Sequence, residues 1–257
     1  MSPLALVVWQ IRYEQKAFWR NPTAAVFVVF FPVLFLVLFG GNNQRIGQLG
    51  GIPYHQFFVP SMLAYGLMNA TFASLALSLV LRRENGLLRR LRITPLPAWA
   101  SFAGLVGNAL VVATLIGTVV LALGFVAYGV TWPGHYLALA LALVVGVIAF
   151  AALGAAASTV VPNEDAAGPI VNVIYFILIF TSGTFFPVSP HSILGRIASA
   201  FPVAHLNRAI LAAFLPFGPR GITHGFAWSD IAIIALWGLG GSYIAVRRWR
   251  WEPRRKG

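Results

Sequence analysis

Few residues in this 257-residue chain are equipped for chemistry. The acids are Glu14, Glu84, Glu164, Asp165, Asp230 and Glu252; the histidines are His55, His135, His191, His205 and His224; and cysteine is absent. Without a thiol there is no disulfide framework, thiolate metal site or sulfur nucleophile. No two histidines share close ligand spacing, and neither paired carboxylates nor a G-x-S-x-G turn is present for hydrolysis. A G-x-x-x-x-G-K-[ST] loop, whose backbone N–H groups and lysine would hold ATP, is also missing. These absences predict a chain that is not itself an enzyme and binds no metal or cofactor.

The dense chemistry is positive. "RRENGLLRRLRITPLP" (82–97) packs five arginines and one glutamate into eleven residues between long apolar runs. An arginine at the membrane centre costs about 2.5–3.5 kcal/mol on insertion scales, so this cluster must lie outside hydrocarbon. On a helix, Leu87, Leu88 and Leu91 fall within a stripe of about 100°, with Arg82, Arg83, Arg89 and Arg90 on the other side. Thr94-Pro95 ends that helix, because a residue before proline leaves the helical region. Two readings stand at this point. The arginines hold the loop on one side and touch lipid phosphate, or the loop docks a partner.

The surrounding elements are those of a membrane protein. The chain is 59% hydrophobic with a mean hydropathy of +0.81, and only 9% of residues are charged. A soluble domain carries roughly 25%. The net charge of +12 sits in clusters between apolar runs, which argues against nucleic acid as a partner. Judged against the roughly 20 apolar residues that a crossing helix needs, six spans are expected, at about 23–40, 57–81, 98–130, 136–161, 168–186 and 228–246. Residues 4–20, with Arg12, Lys16 and Arg20 among apolar and aromatic positions, suit a helix lying in the interface. Residues 188–218 hold two proline-bounded apolar pieces too short to cross, which suggests re-entrant helices. No cleavable signal peptide is evident. The expectation is one all-α membrane domain over 1–257, with 82–95 as a loop.

Lysine and arginine set the orientation. With the N-terminus inside, fourteen of the eighteen fall on the cytoplasmic side, and only Arg45, Arg196, Arg208 and Arg220 lie outside. That bias places both termini in the cytoplasm of an inner-membrane protein. All five histidines then fall outside.

The arginine stretch directly after a second span resembles the cytoplasmic loop of type-two ATP-binding-cassette exporter permeases, with the daunorubicin-resistance drug-exporting branch most similar. "FWRNPTAAVFVVFFPVLFLVLFG" (18–40) and "TSGTFFPVSP...LGRIASAFPVAHLNRAI" (181–210) match the same family in the same order. The resemblance implies a homodimer, or a dimer with a related permease, driven by two separate ATPase subunits that carry ATP and magnesium. It also implies a coupling helix in the loop, seated in an ATPase cleft, with the interfacial helix nearby. The residues expected there are Glu84, Leu87, Leu88, Arg89, Arg90, Leu91 and Arg92. The leucine stripe would pack into the cleft and the arginines would meet acids. Phe185, Phe186, Pro187 and Pro202 are expected near an outer gate.

The cargo has no address in the residues. Phe27, Phe30, Phe31, Phe35, Phe176, Phe180, Phe185 and Phe186 would line a route for a drug-like or lipid-like molecule, or simply face lipid. Asn69, Thr71, Ser74 and Ser78 put a polar edge on the second span, with Asn172 and Thr181 in the fifth. Small residues in "SFAGLVGNALVVATLIGT" and "GVIAFAALGAAAST" would allow close helix packing. Export of a lipid-linked glycan fits the same architecture. An ion-coupled carrier or channel and a lipid-acting enzyme are the alternatives from other classes. Mid-span charges would favour the carrier and paired catalytic groups the enzyme.

Overall fold

The computed structural model describes residues 2–41, 45–46, 51–93, 96–189, 192–215 and 225–248. The basic tail beyond 248, and residues 190–191 and 216–218 of the expected re-entrant segment, lie outside the described residues. Among them the structure is almost wholly helical. The exception is a two-residue antiparallel ladder in which Ile46 pairs with Ile52.

Helix α1 (Pro3–Trp19) starts at Ser2, whose hydroxyl accepts from the Ala5 N–H at 3.3 Å. It covers the expected interfacial segment, and α2 (Pro22–Gly40) follows after Asn21 with Pro32 inside it. The second expected span is one continuous run: α3 (Tyr54–Met68), a π-helical turn (Asn69–Ala73) and α4 (Ser74–Glu84). This run extends past the expected end at 81, so Arg82, Arg83 and Glu84 belong to the span's last turn. Cations there complement the helix dipole. Asn85-Gly86 then breaks the chain, with Gly86 in the left-handed region at φ 68°. Helix α5 (Leu87–Arg92) restarts after it. The expected amphipathic helix is therefore split, and its arginines belong to two elements.

Helices α6 (Ala98–Tyr128) and α7 (Tyr136–Val160) follow the expected bounds closely. At 1.5 Å per residue α6 is about 46 Å long, well beyond a hydrocarbon core of roughly 30 Å. Helix α8 (Glu164–Thr181) is shifted from the expected 168–186. Its earlier start comes from Asn163, which caps the helix by accepting from the Ala166 N–H at 2.9 Å, with Glu164 and Asp165 favourably placed in the first turn. Its earlier end precedes Gly183, at φ 74°. Two short helices then appear where proline-bounded pieces were expected: α9 (Ile193–Ala198) and α10 (Pro202–Phe214). Helix α11 (Trp228–Arg248) closes the described chain.

Five of these runs are long and apolar enough to cross a membrane: Tyr54–Glu84, Trp99–Tyr128, Tyr136–Val160, Glu164–Thr181 and Trp228–Arg248. The core gathers around α3, α7 and α10, with α10 buried almost throughout. Small residues bring the helices together. A side chain at Gly154 of α7 would lie 2.7 Å from the carbonyl oxygen of Phe72 in the π turn, and one at Gly238 of α11 would lie 2.9 Å from Ala149. Such backbone contact is how helices associate where lipid offers no hydrophobic drive.

Candidate functional site at the arginine loop

The loop end of the bundle is organised by two neighbouring arginines. Arg82 turns toward α1 and forms a two-pronged ion pair with Glu14, its Nη1 donating to Oε1 at 2.8 Å and its Nη2 to Oε2. Glu14 is 2% exposed. Gln10, one turn earlier, donates to the same carboxylate at 3.3 Å, and Arg82 Nε donates to the Ser78 hydroxyl at 3.1 Å. The carboxylate and guanidinium are thus paired and further hydrogen-bonded, as buried charge requires.

Arg83 turns the other way. It is 4% exposed and donates to the carbonyls of Ser158 at 3.2 Å and Val161 at 2.8 Å. These oxygens close the C-terminal end of α7, where the last carbonyls lack intrahelical donors. Its Nε donates to Glu84 at 2.9 Å, so Glu84 is engaged by an adjacent arginine of its own chain. Together the two arginines tie α4 to α1 on one side and to α7 on the other.

Helix α1 is seated against α6 by the same logic. A Cβ at Gly104 would come within 2.2 Å of Gln10, and one at Gly107 within 2.4 Å of Ile11. Gln15 donates to Asn108 Oδ1 at 2.9 Å. The polar residues Gln10 and Glu14 face inward, while Arg12, Lys16 and Arg20 are exposed.

The six residues of α5 divide unevenly. Leu88 is 5% exposed and packs within the chain, and Leu87 borders a half-open cavity. At Leu88 the leucine stripe, expected to pack into an ATPase cleft, packs against the chain's own bundle. Arg89 and Arg90 are exposed, and Ile93 just beyond the helix is 85% exposed. The backbone of Leu91 and Arg92 completes the helix.

Above this junction, α1, α2, the π turn, α4, α5, α6 and α8 line a half-open cavity of about 540 Å³. This lies within the range of roughly 300–1,000 Å³ typical of ligand pockets. Asn69, Ser74 and Ser78 line one wall and Asn172 another, with the Glu14–Arg82 pair at the loop end. The polar edge foreseen on the second and fifth spans therefore converges on one space. Thr71 and Thr181 do not line it, and their hydroxyls donate to the carbonyls of Leu67 at 2.7 Å and Ile177 at 2.6 Å.

At the opposite end the residues expected near a gate part company. Phe185 is buried against Phe35, Phe58, Tyr65 and Phe180, and its carbonyl accepts from the Tyr54 hydroxyl at 2.6 Å. Phe186 is exposed, Pro187 is half-buried, and Pro202 is buried as the first residue of α10. The sequence reading missed the polar knot beside them. His205 Nε2 lies 2.9 Å from the Ser199 carbonyl, which only accepts, so that nitrogen carries a proton. Its Nδ1 lies 2.6 Å from Asp230 Oδ1, and Arg208 Nε donates to the same oxygen at 2.9 Å. The signal was the i, i+3 pair His205/Arg208 on one helix face. Its acid stands twenty-two residues beyond Arg208, in the first turn of α11.

The chain is 27% identical over 198 residues to the probable multidrug ABC transporter permease YbhR of Escherichia coli (strain K12), across 77% of this chain and 54% of that protein. It is 24% identical over 158 residues to the inner membrane transport permease YadH of the same organism, across 61% of each. The chain thus spans about half to three-fifths of the length of these relatives. Residues 6–215, which include the loop, the cavity wall and the short helices, match the family described as ABC-2 type transporter. This multi-pass membrane protein therefore belongs to the ABC-2 type transporter permease family.

Proposed function

We propose that the chain is the transmembrane subunit of an ATP-driven exporter. In this reading α2 adds a sixth span to the five long runs, and both termini and the arginine loop face the cytoplasm. Two copies work with two ATPase subunits, which hold ATP and magnesium. The observation that carries the reading is the construction of the loop. Arg82 and Arg83 fix the end of α4 in the bundle and buried Leu88 anchors α5 beside it, so α5 presents Arg89, Arg90 and Ile93 outward. A push on α5 is transmitted to α1 through Glu14 and to α7 through its C-terminal carbonyls. The cavity next to this junction has apolar walls with amide and hydroxyl groups, which suits a hydrophobic or amphipathic cargo.

The test is capture of an ATPase subunit that co-purifies with the unsubstituted chain. Rim charges govern encounter and salt dependence, so R89E/R90E should lower capture about tenfold at low salt. Membrane insertion should be unchanged, because the nine basic residues of the N-terminal helix and the tail still hold the orientation. Undiminished capture by the reversed loop would reject α5 as the coupling surface.

A further inference from the structure

The outward face of α1 is unusual for a helix on a protein surface. Arg12, Lys16 and Arg20 recur every fourth residue and so form one stripe, and all three are exposed. None forms an ion pair among the described residues. The helix's one acid, Glu14, is on the opposite face and committed to Arg82. Aromatic residues flank the stripe: Trp9 and Tyr13 stack with ring centroids 6.2 Å apart, and Trp19 donates its indole N–H to Gln15 at 3.0 Å. These three rings are exposed too. Meanwhile the helix turns its uncharged amides Gln10 and Gln15 inward.

We infer that this face is a binding surface for anionic phospholipid headgroups. A face meant for bulk water would not expose two tryptophans and a tyrosine, and a face in hydrocarbon would not expose three cations. The headgroup layer accommodates both, since aromatic rings settle there and cations meet phosphate. The charge is uncompensated and of one sign, so a negatively charged lipid is preferred to a zwitterionic one. A protein partner is the competing occupant, and cross-linking distinguishes it from lipid. The inference needs only the membrane location of the chain and is independent of the ATPase reading.

The test places a photo-crosslinking residue at Tyr13 in the full chain. The protein is reconstituted in vesicles of equal parts phosphatidylglycerol and phosphatidylcholine, and adducts are counted by mass spectrometry. Adducts with phosphatidylglycerol should exceed those with phosphatidylcholine by roughly fivefold or more, the effect expected from each basic residue near a charged surface. The preference should vanish in R12Q/K16Q/R20Q, persist in R12K/R20K, and weaken as salt is raised on the unsubstituted chain. The same probe at Phe180, exposed on α8, should report equal adducts. Equal adducts at position 13 in the unsubstituted chain would overturn the inference, as would a preference that survives neutralisation or high salt. Cross-linking in cells predominantly to a protein would overturn it in favour of a docking role.

Discussion

Arg82 and Arg83 are adjacent in sequence and opposite in task. One joins α4 to α1 and the other joins it to α7, because successive helical residues point about 100° apart. Their number was legible in the sequence and their division was not, since Glu14 is 68 residues from Arg82, and Arg83 reaches backbone oxygens that carry no sequence signal. A measurable consequence follows for the first pair. Removing one partner of a buried pair strands the other charge, at a cost of about 3–5 kcal/mol, whereas replacing both with apolar groups costs much less. Glu14→Ala should therefore lower the heat-aggregation midpoint in detergent more than Glu14→Ala combined with Arg82→Met. Losses of Glu14→Ala and of Arg82→Met alone that simply add in the double variant would show that the two side chains do not act together.

The π turn at Asn69–Ala73 matters most among the elements. Such a turn accommodates one additional residue within an α-helix while the flanking turns keep their directions. Here it keeps Arg82 and Arg83 aimed at their separate partners and lets the backbone of Gly154 approach Phe72. Deleting Ala70 should regularise the helix and leave both arginines in place, whereas deleting Leu77 from α4 should rotate them by about 100° and release them. Limited trypsin digestion reads the difference, with cleavage after Arg83 expected only in the second variant. Equal protection of both, or equal cleavage, would show that the turn does not set the register. Helix positions were largely legible from apolar run length, and α9 and α10 from their prolines. The split at Asn85-Gly86 was missed because Arg82/Arg89 and Arg83/Arg90, each seven residues apart, carry one helix face across it. The π turn has no marker in an apolar run, and the start of α8 was missed by treating Asn163 as a break when it is a cap.

At the scale of the whole molecule, the distribution of charge predicts a single orientation that the helix arrangement makes testable. The loop, α1 and the end of α11 share one end of the bundle, and α9, α10 and the His205–Arg208–Asp230 knot share the other. If fourteen of eighteen basic residues lie inside, the first end is cytoplasmic and the second faces out. Because the chain has no cysteine, single cysteines report position directly. The choice of site must follow burial. Ala212 on α10 is wholly buried and would resist labelling from either side, so it cannot distinguish them. Ser199, after α9, and Arg89, on α5, are both exposed. In intact spheroplasts an impermeant maleimide should label Ser199→Cys, and label Arg89→Cys only after the membrane is opened. The knot itself is not needed for this readout, because Ser199 holds His205 through its backbone carbonyl, while its exposed hydroxyl donates to the Arg196 carbonyl of its own helix at 2.7 Å. Labelling of Arg89→Cys in intact spheroplasts, with Ser199→Cys protected, would invert the molecule. The arginine loop would then face away from any cytoplasmic ATPase.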